Sequence, residues 1–177
     1  MRATRQTTSE GAGDVDAYRA IITKRDTRHY AAEPIAEDAL TRILQAGRMA
    51  GSSKNSQPVR MVVIRSEEGR QALLECGDYA AHLGHCAAAV AVILAPGGSE
   101  LDAGRAAQNL MVAAWGEGIA SCPTSMHRPE CAARVLGLPD GYSVATVVAL
   151  GYPDLKHSLS GGRQRLPLDE LVHWERW

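Results

Sequence analysis

The chain has 177 residues, enough for about one domain. Its 19 Lys and Arg nearly balance 20 Asp and Glu, so the formal charge of −1 excludes a protein whose main task is to coat a polyanion. A hydrophobic content of 45% and a charged content of 22% are typical of a folded globular domain. The chain contains no Phe, so aliphatic side chains must fill the core, and Trp115, Trp174 and Trp177 need a separate explanation.

The N-terminal segment lacks any apolar run, so we expect a flexible N-terminus at 1–13, no signal peptide, and a single domain over 14–177. The longest apolar stretch, at 87–96, is about half as long as a membrane span. The cysteines have no CxxC spacing, which favours a cytoplasmic protein with reduced thiols. A metal site is not predicted, because the available His and Cys residues fit no common zinc spacing. Those residues are His82, His85, Cys86, Cys122, His127 and Cys131.

Apolar periodicity and capping residues predict the helices. We predict helices over 14–25, 37–50, 66–76 and 101–115, and a further helix that Pro129 opens and Gly137 ends. Apolar and β-branched runs predict strands over 59–65, 87–94, 119–124 and 144–151, of which 87–94 is expected at the centre of the sheet. Strands and helices alternate irregularly, without a run of βαβ units. This pattern favours the α+β class with a mixed sheet.

Three polar segments carry candidate chemistry. The basic run 24–29 follows the first helix, the loop 52–57 is dense in donors and acceptors, and Arg163 and Arg165 point the same way on an extended chain. Each has an ordinary structural explanation when taken alone, as a charged helix end or a solvated loop. The tail adds a fourth feature, because its tryptophans lie where chains usually fray and a partner subunit could cover them.

Six motifs in chain order resemble those of the nitroreductase family of FMN-dependent oxidoreductases. That family opens with a helix ending in an Arg-Arg-Ser-x-Arg run and an aromatic residue, here KRDTRHY at 24–30. A Pro-Ser-Ser-x-Asn-x-Gln-Pro-Trp loop precedes its first strand, here GSSKNSQPV at 51–59. The other motifs are DAGRAAQN at 102–109, LGLP at 136–139, GYP at 151–153 and RQRLPL at 163–168. The resemblance covers about residues 15–175.

The resemblance implies a nitroreductase-like α+β fold, with a mixed, mainly antiparallel central sheet flanked by helices and a C-terminal arm wrapped around a dimer partner. It implies FMN at the interface of a homodimer, NADH or NADPH as co-substrate, and a small-molecule oxidant. No nucleic-acid or membrane partner is expected. In the family, hydride passes from NAD(P)H to flavin N5 and then to a nitroaromatic, a quinone or a similar oxidant, in a ping-pong sequence. The flavin carries the chemistry, so no catalytic residue of the protein is predicted.

The two basic segments would converge on the flavin phosphate and ribityl chain. A phosphate carrying a charge of about −1.5 to −2 needs several charge-assisted donors. The candidates are Lys24, Arg25, Asp26, Arg28, Arg163 and Arg165.

The flavin ring would be contacted from both subunits. The partner's loop would supply hydrogen bonds through Ser52, Ser53 and Asn55. The turn at 123–126 would lie beside the ring through Pro123, Thr124 and Ser125, with a backbone N–H facing N5. Arg28 would lie near the N1–O2 edge, so Arg28 and Ser125 are the protein groups expected nearest the ring. We expect His29, His127 and Tyr30 to be structural.

Departures from the family pattern leave two alternatives. Asp26 stands where the family usually has Ser, as in a flavin-fragmenting relative, 5,6-dimethylbenzimidazole synthase, although that relative usually has a Gly-Tyr-Met-like sequence where KNS stands at 54–56. A non-catalytic FMN-binding protein would use the same phosphate site. Gly51 and Val59 replace the usual Pro and Trp, which opens space near the flavin.

Overall fold

The computed structural model describes residues 16–157 and 164–177. The strands are β1 (Val59–Ile64), β2 (Ala88–Leu94), β3 (Ala120–Thr124) and β4 (Ser143–Gly151). The helices of the described ranges are α1 (Ala17–Thr23), α2 (Glu37–Arg48), α3 (Glu67–Leu74), α4 (Glu100–Gly116), α5 (Pro129–Val135) and α6 (Leu168–Leu171). Two short 3-10 turns lie at Ser53–Asn55 and Ala81–His85.

The four strands form one sheet in the order β1-β2-β4-β3, and every neighbouring pair is antiparallel. All seven residues of β2 are buried, which confirms the prediction of a central strand there. A parallel bridge between Asp26 and Ser121 adds the segment after α1 to the β3 edge. The predicted α+β class with a mainly antiparallel sheet is therefore confirmed.

Helices cover the sheet on both faces. On one face, α2 and α4 pack through small residues, and a Cβ atom added to Gly47 would lie only 2.7 Å from a methyl carbon of Leu110. The predicted helix over 101–115 buries one stripe of small and apolar residues there: Ala103, Ala107, Leu110, Met111 and Ala114. On the other face, α3, α5 and the turn Ala81–His85 enclose a second apolar cluster. Within the described part of the chain, no helix combines the length and the apolar character needed to cross a membrane.

The first helix is shorter than the predicted 14–25, and most of its apolar side chains are exposed. It spans Ala17–Thr23, with Asp16 capping the Tyr18 N–H, and it buries Ala20 while Ile21 and Ile22 are 57% and 51% exposed. Its apolar spacing therefore does not face this chain's own core. At its end, the Thr23 hydroxyl accepts a hydrogen bond from Nε1 of Trp115 at 3.0 Å, which accounts for one of the three tryptophans.

The prediction that the cysteines carry reduced thiols was wrong for one pair. Cys76 and Cys131 form a disulfide with Cα atoms 5.4 Å apart, whereas Cys86 and Cys122 are free and buried. The two bonded residues are separated by 55 positions in the sequence. Their proximity arises from the packing of α3 against α5, which local cysteine spacing does not encode.

Candidate functional site

The basic run after α1 lies along the edge strand β3. The Thr27 N–H donates to the carbonyl of Ser121 at 3.2 Å, and both residues are buried. The Tyr30 hydroxyl donates to the Thr27 carbonyl at 2.8 Å, and its ring covers Gly151, where an added Cβ would lie 2.9–3.0 Å from ring and Cβ atoms. An exposed strand edge needs backbone partners, and this segment supplies them. The fold thereby places residues 24–28 along β3, with Arg28 toward the end of the strand from which the turn follows.

The charges in this run do not cancel. The ammonium group of Lys24 contacts the carboxylate of Asp26 and lies 3.5 Å from the Met111 sulfur. The Arg25 guanidinium donates to the backbone carbonyls of Ile22 and Lys24, at 3.1 and 2.9 Å. Within residues 16–157 and 164–177, neither Arg25 nor Arg28 has a carboxylate partner. Two positive charges therefore remain to attract an anion.

The turn predicted at 123–126 begins later than expected, because Pro123 and Thr124 are the last two residues of β3 and pair with Val148 and Val147 of β4. The chain leaves the strand at the exposed Ser125. Thr124 is buried, and its carbonyl accepts a hydrogen bond from the Thr146 hydroxyl at 3.1 Å. Pro123 is half-buried, Ser125 is exposed and Met126 is buried again. The Ser125 side chain and the backbone around it are thus available to a ligand, next to the positive charge of residues 24–28.

Arg28 lies against two buried groups that sequence reasoning did not assign. Burial raises the pKa of the Cys122 thiol, and a hydrogen bond from Arg28 opposes that rise. Burial lowers the pKa of His82, and the positive charge of Arg28 lowers it further. His82 is 4% exposed, and neither ring nitrogen has a hydrogen-bond partner in the described residues. The sequence analysis had named His82 and Cys122 only among the His and Cys residues whose spacing fits no common zinc site.

The chain leading toward the second basic pair meets the first basic run. The Ala31 N–H donates to the Tyr152 carbonyl at 2.9 Å, and the Asp154 N–H donates to the His29 carbonyl at 3.1 Å. The rings of His29 and His157 stack at 4.2 Å. Arg163 lies outside the described residues, and Arg165 is exposed. Among the described residues, no hydrogen bond or ion pair joins Arg165 to residues 24–28.

The Ser52–Asn55 loop lies elsewhere on the same chain. The Ser52 hydroxyl accepts from the Gln57 N–H at 2.8 Å, while Ser53 and Asn55 are exposed. Lys54, Asn55 and Gln57 all adopt a positive φ, between 48° and 54°, which is unfavourable for residues with a side chain. In the described part of the chain, the loop's hydrogen bonds remain within it and its flanks. One chain does not bring this loop to the basic run.

The described C-terminal tail is exposed along its whole length, from 164 to 177. Leu168 is 75% exposed, Trp174 83% and Trp177 99%. Its internal contacts are local, such as the Val172 N–H donating to the Leu168 carbonyl at 2.9 Å. So many exposed apolar residues on one segment form an apolar surface of the kind that marks an interaction site.

Comparison with known proteins supports the family resemblance inferred from the six motifs. The nitroreductase family model matches residues 21–76 and 94–152, which is more than half of the chain. An NADH dehydrogenase from Thermus thermophilus is 28% identical over 200 residues, covering 90% of this chain and 96% of the relative.

Solved structures share the fold. Nitroreductase A from Vibrio parahaemolyticus superposes with a TM-score of 0.82 at 25% identity, covering 91% of this chain and 75% of that one. The NADPH:FMN oxidoreductase of Vibrio harveyi, solved with NAD+, gives a TM-score of 0.81 at 25% identity, covering 91% and 77%. The resemblance inferred from the six motifs is confirmed, and the chain belongs to the nitroreductase family.

Proposed function

We propose that this chain is an FMN-dependent NAD(P)H oxidoreductase that works as a homodimer and reduces nitroaromatics, quinones or similar oxidants by a ping-pong mechanism. Membership of the nitroreductase family supports the broad part of this assignment, an oxidoreductase that uses NAD(P)H and a flavin. The observation that carries it is the pair of uncompensated cations, Arg25 and Arg28, held on the segment that pairs with β3.

The residues present fit the proposed cofactor. The phosphate of FMN requires cations without competing carboxylates, and Arg25 and Arg28 meet that requirement. Arg163 and Arg165 would complete the phosphate site, since the chain that precedes them runs against His29 and Tyr30. Pro123, Thr124 and Ser125 would contact the ring, and Thr124 is already fixed by its bond from Thr146.

FMN bound at this site would supply the redox chemistry, accepting a hydride from NAD(P)H and delivering the electrons to the oxidant. The protein's part is to bind and orient. Tyr30 is unsuited to proton transfer, because burial raises the pKa of its phenol far above the usual range and its hydroxyl is committed to Thr27. His127 accepts a hydrogen bond from the Asp78 N–H at 3.1 Å, and His29 stacks on His157, which supports structural roles for both.

A second copy of the chain would complete the site. The loop with Ser52, Ser53 and Asn55 does not reach the basic run of its own chain. The exposed apolar residues of α1 and of the tail provide surface for a partner, among them Tyr18, Ile21, Leu168, Trp174 and Trp177. We therefore propose that the partner subunit supplies the loop and that the two tails exchange between subunits.

The alternatives receive less support. Asp26 is engaged by Lys24, so this ion pair gives the carboxylate a local role that does not require flavin fragmentation. A non-catalytic flavin-binding protein would have the same cations, and only turnover separates the two. A cytoplasmic location remains part of our proposal, resting on the composition and on the family.

The test is to purify the protein, release its cofactor and measure turnover. We expect a yellow protein that releases FMN and oxidises NADH or NADPH with menadione or a nitroarene, giving parallel lines in double-reciprocal plots. Bound FMN without turnover would indicate a storage role. Oxygen-dependent loss of the flavin absorbance would indicate fragmentation. A colourless protein that does not take up added FMN would refute the proposal.

A further inference from the structure

Hydrogen bonds, close packing and a disulfide attach the turn after β3 to the segment that follows α3. On one side lies the segment 75–79, between α3 and the turn Ala81–His85. On the other lies the segment 125–131, which runs from the exposed Ser125 into α5. We call the contacts between these two segments the α3–α5 clasp.

Hydrogen bonds and one ion pair form the polar half of the clasp. The Arg128 N–H donates to the Cys76 carbonyl at 2.9 Å, and the Arg128 guanidinium donates to the Glu75 carbonyl and to Asp78, the latter at 2.6 Å. Arg128 holds the pKa of the Asp78 carboxyl below its ordinary value. The Asp78 N–H donates to Nδ1 of His127 at 3.1 Å.

Close packing ties the clasp to the turn itself. A Cβ atom added to Gly77 would lie 3.0 Å from the Ser125 carbonyl oxygen and 3.1 Å from the terminal methyl of Met126. Cys76 is fully buried, and Met126 belongs to the same apolar cluster. The backbone at Gly77 therefore lies against the exposed Ser125 and the buried Met126 that follows it, so a movement of the 75–79 segment would displace both residues.

The Cys76–Cys131 disulfide closes the clasp covalently, one residue before Gly77 and within the first turn of α5. We propose that this disulfide is a positioning element that fixes the turn at 123–126, so that its reduction by a dithiol changes how the protein holds its flavin. This inference rests on the proposed function. In the redox step, the S–S bond breaks and two thiols form with two electrons and two protons from the dithiol, which becomes a cyclic disulfide.

Such an effect requires that the fold survive reduction. The Arg128 contacts and the buried packing at Leu73, Met126 and Ala132 do not depend on the disulfide. Loss of the bond should therefore loosen the turn without dissolving the structure around it. Disulfides in cytoplasmic proteins are commonly transient and redox-sensing rather than permanent, which makes the proposed location compatible with this role.

The experiment compares the oxidised protein, the protein treated with dithiothreitol, and the double variant Cys76→Ser/Cys131→Ser. Three readouts are taken: thiol titration in denaturant, FMN affinity by fluorescence, and visible circular dichroism of the flavin-saturated protein. Cys86→Ala is the matched control, because it removes a buried thiol from the same apolar cluster and leaves the disulfide intact.

We expect two titratable thiols in the oxidised protein and four after reduction. Reduction should weaken FMN binding by about tenfold, the scale of one displaced hydrogen bond, and alter the flavin dichroism, with both effects reversed by reoxidation. In FMN affinity and flavin dichroism, the double variant should match the reduced protein, and Cys86→Ala should match the oxidised one. Purified without reductant, the double variant should show two titratable thiols and Cys86→Ala should show one.

Equal affinity and equal dichroism in the two redox states would overturn the inference, because a purely stabilising disulfide would change only the unfolding temperature. Four titratable thiols in protein purified without reductant would overturn it as well. If the oxidised protein does not bind FMN, the proposed function is refuted, and the inference with it. The thiol count then shows whether the disulfide was present in the protein tested.

Discussion

The imidazole rings of His29 and His157 stack with their centroids 4.2 Å apart and their planes 9° from parallel. His29 belongs to the first basic segment, and His157 is the last described residue before the Gly-Gly that leads to Arg163. Asp154 reinforces the contact, since its carboxylate lies 3.0 Å from Nδ1 of His157 and its N–H donates to the His29 carbonyl. Two segments far apart in the sequence are therefore joined at the proposed phosphate site.

Removing this stack should weaken cofactor binding. We expect His157→Ala to lower FMN affinity by about two- to tenfold, because an aromatic pair contributes about 0.5–1.5 kcal/mol and here orients the chain toward Arg163 and Arg165. Fluorescence titration of FMN measures the effect. His85→Ala is the control, since His85 is exposed and lies outside both the proposed flavin site and the tail. Unchanged affinity in His157→Ala would show that the stack has no part in the site.

Arg28 is the cation with the strongest case for direct contact with the flavin. We expect Arg28→Ala to weaken FMN binding by about 10–100-fold, the usual scale for a lost hydrogen bond to a charged group, while Arg28→Lys retains part of the affinity. The pKa of His82 should rise in Arg28→Ala, because Arg28 now lowers it, and NMR titration of the ring follows that change. Arg65→Ala, which breaks an exposed pair with Glu37, should leave FMN binding unchanged. If the two alanine variants bind FMN equally, Arg28 is not a ligand.

Arg165 tests whether the second basic pair reaches the cofactor. We expect Arg165→Ala to reduce FMN binding by about 2–3 kcal/mol if its guanidinium pairs with the phosphate. Isothermal titration calorimetry gives the affinity, and Arg65→Ala, at an exposed pair with Glu37 outside the tail, controls for a general loss of positive charge. Equal losses in both variants would mean that Arg165 acts only through net charge.

The sequence predicted the elements whose causes are local. Ser66 followed by two Glu residues marks the start of α3, and its hydroxyl accepts the Gly69 N–H as the pattern requires. Pro129 opens α5 at its first turn, and the unbroken apolar run of β2 is the central strand. The order of the six motifs predicted the family. These features depend on neighbours within a few positions, which is the range over which sequence patterns are informative.

What the sequence did not predict depends on distant parts of the chain. Cys76 and Cys131 meet only because α3 packs on α5, and Arg28 lowers the pKa of His82 although the two residues are far apart in the sequence. The exposure of Ile21 and Ile22 was missed because their helical spacing predicts an apolar face without telling which chain covers it. The positions of Ser52, Ser53 and Asn55 relative to the flavin stay a prediction for the same reason.

The link between α2 and α4 predicts a pH dependence of stability. Arg42 donates to both oxygens of Glu117, at 2.7 and 2.8 Å, and holds the pKa of that carboxyl below its ordinary value of 4.5. Because the folded-state pKa is lowered, the contribution is present above the unfolded-state pKa and is lost as the pH falls through the folded-state value. The free energy of unfolding, measured in urea, should therefore fall below about pH 4.5. Glu117→Gln should flatten this decline, whereas the exposed Glu130→Gln should not. Identical profiles would contradict the assignment.

The exposed tail makes the sharpest prediction about assembly. Residues 168–177 contain Leu168, Leu171, Trp174 and Trp177, each at least 56% exposed, and burying such side chains contributes about 1.5–3 kcal/mol apiece. We expect a chain truncated before Leu168 to lose the dimer and become monomeric or insoluble, because the surface that the tail covers on the partner would be exposed. Light scattering at several concentrations measures the mass. The full-length double variant Trp174→Ala/Trp177→Ala provides a milder test. We expect weaker dimerisation and reduced FMN binding together, since the proposed flavin site draws on both subunits. A truncated chain that remains a dimer and still binds FMN would mean that the tail does not hold the subunits together and that the interface lies on α1 and the Ser52–Asn55 loop alone.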